Sequence, residues 1–129
     1  MENDENKISY DIRGCAFKIL NTLGPGLLES VYEVALSYEL LQLGYRVKNQ
    51  IGIPMIYCHI QLDIGFRLDI LVNDLVIIEV KSVEKLTDIH YKQLLTYLKL
   101  SNKKLGLLIN FNSVILKDKE SIVRIVNNL

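Results

Sequence analysis

Two acidic residues and a lysine lie inside an apolar stretch of the sequence, residues 66–82 (FRLDILVNDLVIIEVKS). Asp69 belongs to the first of two strand-like runs, and Glu79 and Lys81 belong to the second. Carboxylate oxygens without histidine or thiolate favour Mg²⁺ or Mn²⁺ over zinc. The three residues are therefore a candidate metal site with a cationic side chain at its edge. The alternative is that Arg67 and Lys81 neutralise the two acids as cross-strand ion pairs.

The length of the loop between the two runs decides whether the acids meet. A two-residue turn at Asn73-Asp74 would send Asp69 and Glu79 to opposite faces, because side chains alternate along a strand. A three-residue loop at 73–75 places them directly opposite each other, with Cβ atoms roughly 5 Å apart. Only this second register collects apolar residues on one face, namely Leu68, Ile70, Val72, Val76, Ile78 and Val80. We therefore predict the three-residue loop. Two carboxylates so close repel unless a cation lies between them.

The other segments predict a single α/β domain around this hairpin. Helical spacing extends from Ser9 to about Leu23 and from about Leu27 to Leu43. A third helix is expected at Ile89–Leu100. The apolar positions that we expect to pack the second helix on the sheet are Val31, Val34, Ala35, Tyr38 and Leu41. Five strand-like segments lie at 53–60, 65–72, 75–80, 105–110 and 122–126, which gives the order ααβββαββ, and a weaker strand signal lies at 47–50. We expect a flexible tail at 1–8 and one domain at 9–129, with a mixed central sheet flanked by helices.

Composition narrows the class of protein. A chain of 129 residues has the length of one domain. Its 15 basic residues balance 15 acidic ones, and this zero net charge argues against a general nucleic-acid binder. Residues 1–45 hold seven acidic and three basic residues, whereas residues 46–129 hold eight and twelve, so a polyanion would approach the second part. Cys15 and Cys58 form no C-x-x-C pair. The opening MENDENK is not a signal peptide and no apolar run has membrane-spanning length, so we expect a cytoplasmic protein.

The residues of the hairpin resemble the PD-(D/E)XK nuclease superfamily, whose pattern is an Asp near a strand end followed by Glu-x-Lys in the next strand. Here these are Asp69 and Glu79-Val80-Lys81. Leu68 stands where many members have proline. The resemblance implies a restriction-endonuclease-like fold and metal-dependent cleavage of phosphodiester bonds.

Two further motifs extend the resemblance over nearly the whole chain. Within LGPGLLESVYEVAL, the spacing Gly26-x-x-Glu29-x-x-Tyr32 is similar to that of the GxxExxY family of the same superfamily, from about position 12 to 126. Gln93-x-x-x-Tyr97 resembles an element of RecB-type nucleases. Leu20 stands where relatives often carry a histidine, so any role of that histidine is absent here.

The resemblance also implies residue roles. The metal ligands would be Asp69, Glu79, the backbone carbonyl of Val80 and, directly or through water, Glu29. Lys81 would hold or help deprotonate the attacking water, and Gln93 would orient it or touch the substrate. The residues expected to contact substrate are Tyr32, Tyr97, His90 and Lys92.

Simpler interpretations exist for the same residues. Glu29 lies in a first helical turn, where an acid compensates the helix dipole. A tyrosine at the spacing of Tyr32 is more often core, Gln93 can be a surface amide, and His90 an exposed helix residue. At the level of function, we expect a Mg²⁺- or Mn²⁺-dependent nuclease acting on DNA, which a homodimer would help to bind. The alternatives are an RNA or nucleotide substrate, and an inactive nucleic-acid- or protein-binding module.

Overall fold

A computed structural model of the chain describes residues 4–129, with the side chains of 62–65 excluded. Its elements are α1 (Asp4–Leu23), α2 (Glu29–Gln42), β1 (Val47–Tyr57), β2 (Ile60–Val72), β3 (Val76–Lys81), α3 (Asp88–Ser101), β4 (Leu105–Asn110) and β5 (Ile122–Val126). The strands form one sheet in the order β1-β2-β3-β4-β5, in which β3 and β4 are parallel and the other neighbours are antiparallel. The predicted element order and mixed sheet are confirmed. The predicted strand 53–60 is wrong at its end, because Cys58 and His59 have left-handed backbones and form the turn between β1 and β2, and the weak segment 47–50 is the first part of β1. Among the described residues, no helix combines the length and hydropathy needed to span a bilayer.

The first helix begins earlier than the sequence predicts. Residues 4–8, expected to form part of a flexible tail, are the first turns of α1. Ile8 is buried in the core, and the amide oxygen of Asn6 accepts a hydrogen bond from Arg124 of β5. Helix packing against the sheet therefore extends to this end of the chain, and the predicted tail is wrong for residues 4–8. Residues 1–3 lie outside the described part.

The β2–β3 hairpin has the predicted three-residue loop. Val72 pairs with Val76 and Ile70 with Ile78, and the Leu75 N–H donates to the Val72 carbonyl at 2.9 Å. The backbone of Asn73 and of its neighbour at position 74 is left-handed, with φ of 52° and 56°. Asn and Asp tolerate this conformation better than other side chains do, which explains their presence in the loop.

Helices cover both faces of the sheet and create two apolar cores. On the face covered by α1 and α2, the strand residues Ile70, Val72, Val76, Ile78 and Val80 are buried. On the face covered by α3, Leu71 and Ile77 pack with Leu94 and Leu98. β3 is consequently buried on both faces, and five of its six residues are inaccessible to solvent.

Leu68 belongs to the α3 core and not, as predicted, to the face of Ile70. The reason lies in β1. Gln50 has a left-handed backbone with φ of 51°, midway between the pairs Asn49–Ile70 and Ile51–Leu68. A left-handed residue interrupts the regular alternation of a strand, and Ile51 and Leu68, the pair that follows Gln50, both pack in the α3 core.

The second helix buries a different face from the predicted one. Its buried apolar residues are Tyr32, Leu36 and Leu40, whereas Val34 and Tyr38 are mostly exposed. Tyr32 selects this face, because its ring stacks on that of Phe111 with centroids 4.5 Å apart and planes at 5°.

Tyr32 also organises the loop between α1 and α2. Its hydroxyl donates to the Gly24 carbonyl at 2.6 Å and accepts from the Leu27 N–H at 3.1 Å. Gly26, in the same loop, has φ of 92°, which a residue with a side chain adopts only under strain. Because Tyr32 is 0% exposed and its hydroxyl is bound to backbone, this placement gives no support to the prediction that it contacts substrate.

We expect Tyr32→Phe to lower the free energy of unfolding by about 1–2 kcal/mol, because two backbone groups lose their hydrogen-bond partner while the ring stack remains. Urea denaturation measures this change. Tyr38→Phe, which removes the hydroxyl of an exposed tyrosine in the same helix, is the control and should change stability by less than about 0.5 kcal/mol. Equal stability of the two variants would contradict the role assigned to the Tyr32 hydroxyl.

Candidate active site

Asp69 and Glu79 lie side by side at the point where β2 and β3 separate. Asp69 and Glu79 come directly beyond Ile70 and Ile78, the last residues paired through the backbones of β2 and β3. Beyond this pair, backbone N–H groups donate to acidic side chains instead of to carbonyls of the facing strand. The Asp69 N–H donates to Glu79 Oε1 at 3.2 Å, and the Val80 N–H donates to Asp69 Oδ2 at 2.8 Å. Each strand thus binds the acidic side chain of the other, and the two carboxylates occupy one site.

The environment of Glu79 opposes its ionisation. Glu79 is only 4% exposed. Burial first, and then the charge of Asp69, raise the pKa of Glu79 to about 8, although the Asp69 N–H and the charge of Lys81 act in the opposite direction. A cation placed between the two carboxylates would remove this conflict, because it favours the ionised form of both.

Lys81 is half-buried at the end of β3, level with Asn110 of the parallel strand β4. Its position is fixed through the backbone, since the Phe111 N–H donates to the Lys81 carbonyl at 2.9 Å. The positive charge of Lys81 acts on the Glu79 carboxyl group, because it opposes the rise in the pKa of Glu79 that burial and Asp69 cause. Val80 lies between Glu79 and Lys81 in the sequence, and its side chain is buried in the core under α1 and α2.

Glu29 connects the start of α2 to the end of β3. Its Oε2 accepts a hydrogen bond from the Ser82 N–H at 2.9 Å, and Ser82 Oγ donates to the Leu27 carbonyl at 2.8 Å. Within the described part of the chain, no three His, Cys, Asp or Glu side chains are grouped closely enough to hold a metal ion. Glu29, predicted as a ligand beside Asp69 and Glu79, is therefore not gathered with them as a third direct ligand.

Tyr97 and Gln93 belong to α3, the helix that covers the Ile77 face of the sheet. Tyr97 is 5% exposed and packs on Phe66, with ring centroids 4.9 Å apart. Burial, followed by the charges of Glu79 and Asp69, raises the pKa of Tyr97, and a hydrogen bond from the Gln93 side chain acts in the opposite direction. The charges of both carboxylates thus act on Tyr97, whereas Gln93 is exposed.

His90 and Lys92 have other surroundings at the start of α3. His90 Nδ1 accepts a hydrogen bond from the Thr87 N–H at 3.0 Å, which makes His90 part of the helix cap. Lys92 is exposed. Neither arrangement involves Asp69 or Glu79, so the structure adds no support to the predicted substrate contacts of these two residues.

Three residues beside the site were not singled out from the sequence. Gln50 Nε2 donates to Asp69 Oδ1 at 3.3 Å and to Glu33 Oε1 at 2.7 Å. The buried Asn110 accepts from the Val83 N–H at 3.1 Å and donates to the Val83 carbonyl at 2.9 Å, which fixes the chain after Lys81. A polar residue at the end of the apolar strand LGLLIN was a usable signal for Asn110, because parallel strand ends gather at one edge of a sheet. Glu33 and Gln50 had no comparable signal.

Comparison with protein-family models matches residues 6–125 to the PD-(D/E)XK nuclease superfamily. No curated protein and no solved structure matches the chain. The matched range contains every residue of the site described above, and the mixed sheet with helices on both faces is the restriction-endonuclease-like fold. The chain belongs to the PD-(D/E)XK nuclease superfamily.

Proposed function

We propose that this chain is a divalent-metal-dependent nuclease that hydrolyses phosphodiester bonds in DNA. The observation that carries the proposal is the meeting of Asp69 and Glu79 where β2 and β3 separate, with Lys81 two residues further along β3. Superfamily membership supports the reaction class. The choice of DNA rather than RNA is part of this proposal, and the cleavage assay below compares the two substrates directly.

The donor set at the site fits Mg²⁺ or Mn²⁺. These ions are commonly bound by one or two carboxylates and complete their shell with water and substrate phosphate. Asp69 and Glu79 provide the carboxylates, and we propose the Val80 carbonyl as a further ligand. When bound, the ion would supply charge neutralisation at the phosphate and acidify a coordinated water.

The remaining roles belong to side chains around this pair. We propose that Lys81 holds the attacking water and stabilises charge on the phosphate, because a half-buried ammonium keeps a strong field in a site of low dielectric. Gln93 is hydrogen-bonded to Tyr97, on which the charges of Asp69 and Glu79 act, and this supports a role for both in orienting water or the substrate backbone. His90 and Lys92 remain proposals for phosphate contacts at the outer end of α3.

We propose that Glu29 acts on the metal indirectly. One of its oxygens accepts from the Ser82 N–H, and Glu29 is not grouped with Asp69 and Glu79, so we propose that it contacts the metal through water. The three residues of the Gly26-x-x-Glu29-x-x-Tyr32 motif have distinct structural roles here. Gly26 forms a turn with positive φ, Glu29 binds the backbone after β3, and Tyr32 is buried in the core. These roles support our assignment of the chain to the GxxExxY family within the superfamily. The cytoplasmic location stays a prediction.

Replacement of Lys81 by alanine should lower the rate of metal-dependent DNA cleavage by at least about 100-fold, because the attacking water loses its positioning group. The assay uses labelled single-stranded, double-stranded and branched DNA, and RNA, each with Mg²⁺, with Mn²⁺ and with chelator.

Lys18→Ala is the matched control. Lys18 is an exposed lysine of α1 paired with Glu39 at 3.0 Å, and its loss should leave cleavage unchanged. Cleavage by the Lys81 variant at the wild-type rate would remove the mechanism. Binding without cleavage by the wild-type chain would favour the inactive module, and cleavage of RNA alone would replace the proposed substrate.

The stability of the metal-free protein should fall as pH rises. Glu79 ionises near pH 4.5 in the unfolded chain and near pH 8 in the folded one, so the folded state binds the extra proton between these values. Stability from this group is complete below the lower pKa and is lost as pH passes through the higher one. In chelator, the stability of Glu79→Gln relative to wild type should therefore rise by about 4 kcal/mol between pH 5 and pH 9.

Urea denaturation at each pH measures this difference. Glu120→Gln removes an exposed carboxylate and should show no such trend. Addition of Mn²⁺ at pH 8 should stabilise wild type more than Glu79→Gln, since the metal needs the ionised carboxylate. A stability difference that does not vary with pH would show that Glu79 is not held protonated.

We propose that a second copy of the chain covers the exposed apolar face of α2. This face consists of Leu28, Val31, Val34, Tyr38 and Leu41. It presents on the order of 500 Å² of apolar surface, the size of patch that commonly marks an interaction site. Sedimentation velocity should show a dimer for wild type and a monomer for Val34→Glu, whereas a wild-type monomer at micromolar concentration would contradict the proposal.

A further inference from the structure

We propose that Gln50 is a positioning residue that orients the carboxylate of Asp69 for metal binding, and that Glu33 fixes the orientation of the Gln50 amide. The inference rests on the proposed metal-dependent function. Neither residue belongs to the motifs of the superfamily identified above. Both are polar side chains that the fold brings to Asp69 from different elements, Gln50 from β1 and Glu33 from α2.

The hydrogen bonds of the Gln50 amide define its orientation. Nε2 donates to Glu33 Oε1 at 2.7 Å and to Asp69 Oδ1 at 3.3 Å. A primary amide nitrogen has two N–H donors, so each carboxylate receives one of them. The flipped amide would turn its oxygen towards two carboxylates and is electrostatically excluded.

Both oxygens of Asp69 thereby have a fixed donor. Oδ2 accepts from the Val80 N–H at 2.8 Å, and Oδ1 accepts from Gln50. A carboxylate held by one donor can rotate about its last torsion, whereas one held at both oxygens keeps a single orientation. Gln50 therefore sets the direction in which the Asp69 lone pairs point.

The backbone of Gln50 is strained in a way that serves this contact. Gln50 lies opposite Asp69 in the β1–β2 register and has a left-handed φ of 51°, which residues other than glycine rarely adopt inside a strand. Arg67 Nη1 donates to the Gln50 carbonyl at 3.3 Å and supports this conformation. A strained residue that is kept at a site of chemistry is a candidate for function.

Glu33 is itself anchored on its other side. Its Oε2 accepts from Asn49 Nδ2 at 3.1 Å, and the same amide group donates to the hydroxyl of Ser37 at 2.8 Å. Glu29 and Glu33 lie one helical turn apart on α2. The first holds the end of β3 and the second holds the Gln50 amide against β2, so one helix aligns both strands that carry the acidic pair.

Gln50→Gly is the decisive variant. Glycine accepts a positive φ without strain, and Gln50 is exposed, so the substitution opens no cavity and should not unfold the protein. The Asp69 carboxylate loses one of its two donors. By analogy with residues that orient metal ligands in other proteins, we expect Mn²⁺ affinity to fall by about 10-fold.

Calorimetric titration with Mn²⁺ tests the inference on wild type, Gln50→Gly, Glu33→Gln and Asn102→Gly. Asn102, at the end of α3, is also left-handed with φ of 56° and is the matched control for relief of backbone strain. Its glycine variant should keep wild-type affinity. In the cleavage assay, the metal concentration for half-maximal rate should rise with Gln50→Gly by the same factor as the dissociation constant.

Two outcomes would overturn the inference, and they are distinguishable. If wild type binds Mn²⁺ and Gln50→Gly binds it equally well, Gln50 does not position the ligand, while the proposed nuclease function stands. If wild type itself does not bind Mn²⁺, the metal-dependent function fails and the positioning role falls with it. A rise in the dissociation constant for Gln50→Gly, with unchanged affinity for Asn102→Gly, supports the assignment.

Discussion

The burial of Glu79 beside a second carboxyl group is the constraint on which this site depends, because without a cation Glu79 keeps its proton up to about pH 8. Backbone N–H groups from opposite strands hold Asp69 and Glu79 together, and Glu79 is buried from solvent. Folding such a pair costs free energy, which the two apolar cores on either side of β3 must offset. A site that is unfavourable when empty gains the most from a cation, so the cost of the apo state and the affinity for metal have the same origin.

The hairpin and its acidic pair were predictable because two independent rules agreed. Alternation along the strands favoured one loop length, and the left-handed backbone of Asn73 and Asp74 in the structure is compatible with that loop. The fold class was predictable for a similar reason, since strongly apolar strands and three helical segments leave few ways to bury their surfaces. Local sequence and global packing point to the same structure in this part of the chain.

The errors arose where local patterns were ambiguous or where the decisive contact joins distant segments. Apolar residues lie on both sides of α2, and only the stacking of Tyr32 on Phe111 determines which side is buried. The turn of Leu68 towards α3 depends on the left-handed backbone of Gln50 in another strand. The role of Glu29 stays a prediction, but its hydrogen bond to Ser82 could not be foreseen, because it appears only when α2 and β3 are placed together.

The three-residue loop after β2 has a consequence for how this protein can change over time. Substitutions at 73–75 that keep a left-handed backbone leave the pairing of β2 with β3 intact. A deletion or insertion of one codon there shifts the pairing by one residue and moves one acid to the reverse side of the sheet. Amino-acid substitutions in this loop are therefore tolerated, whereas a change in its length separates the two acids in a single mutation.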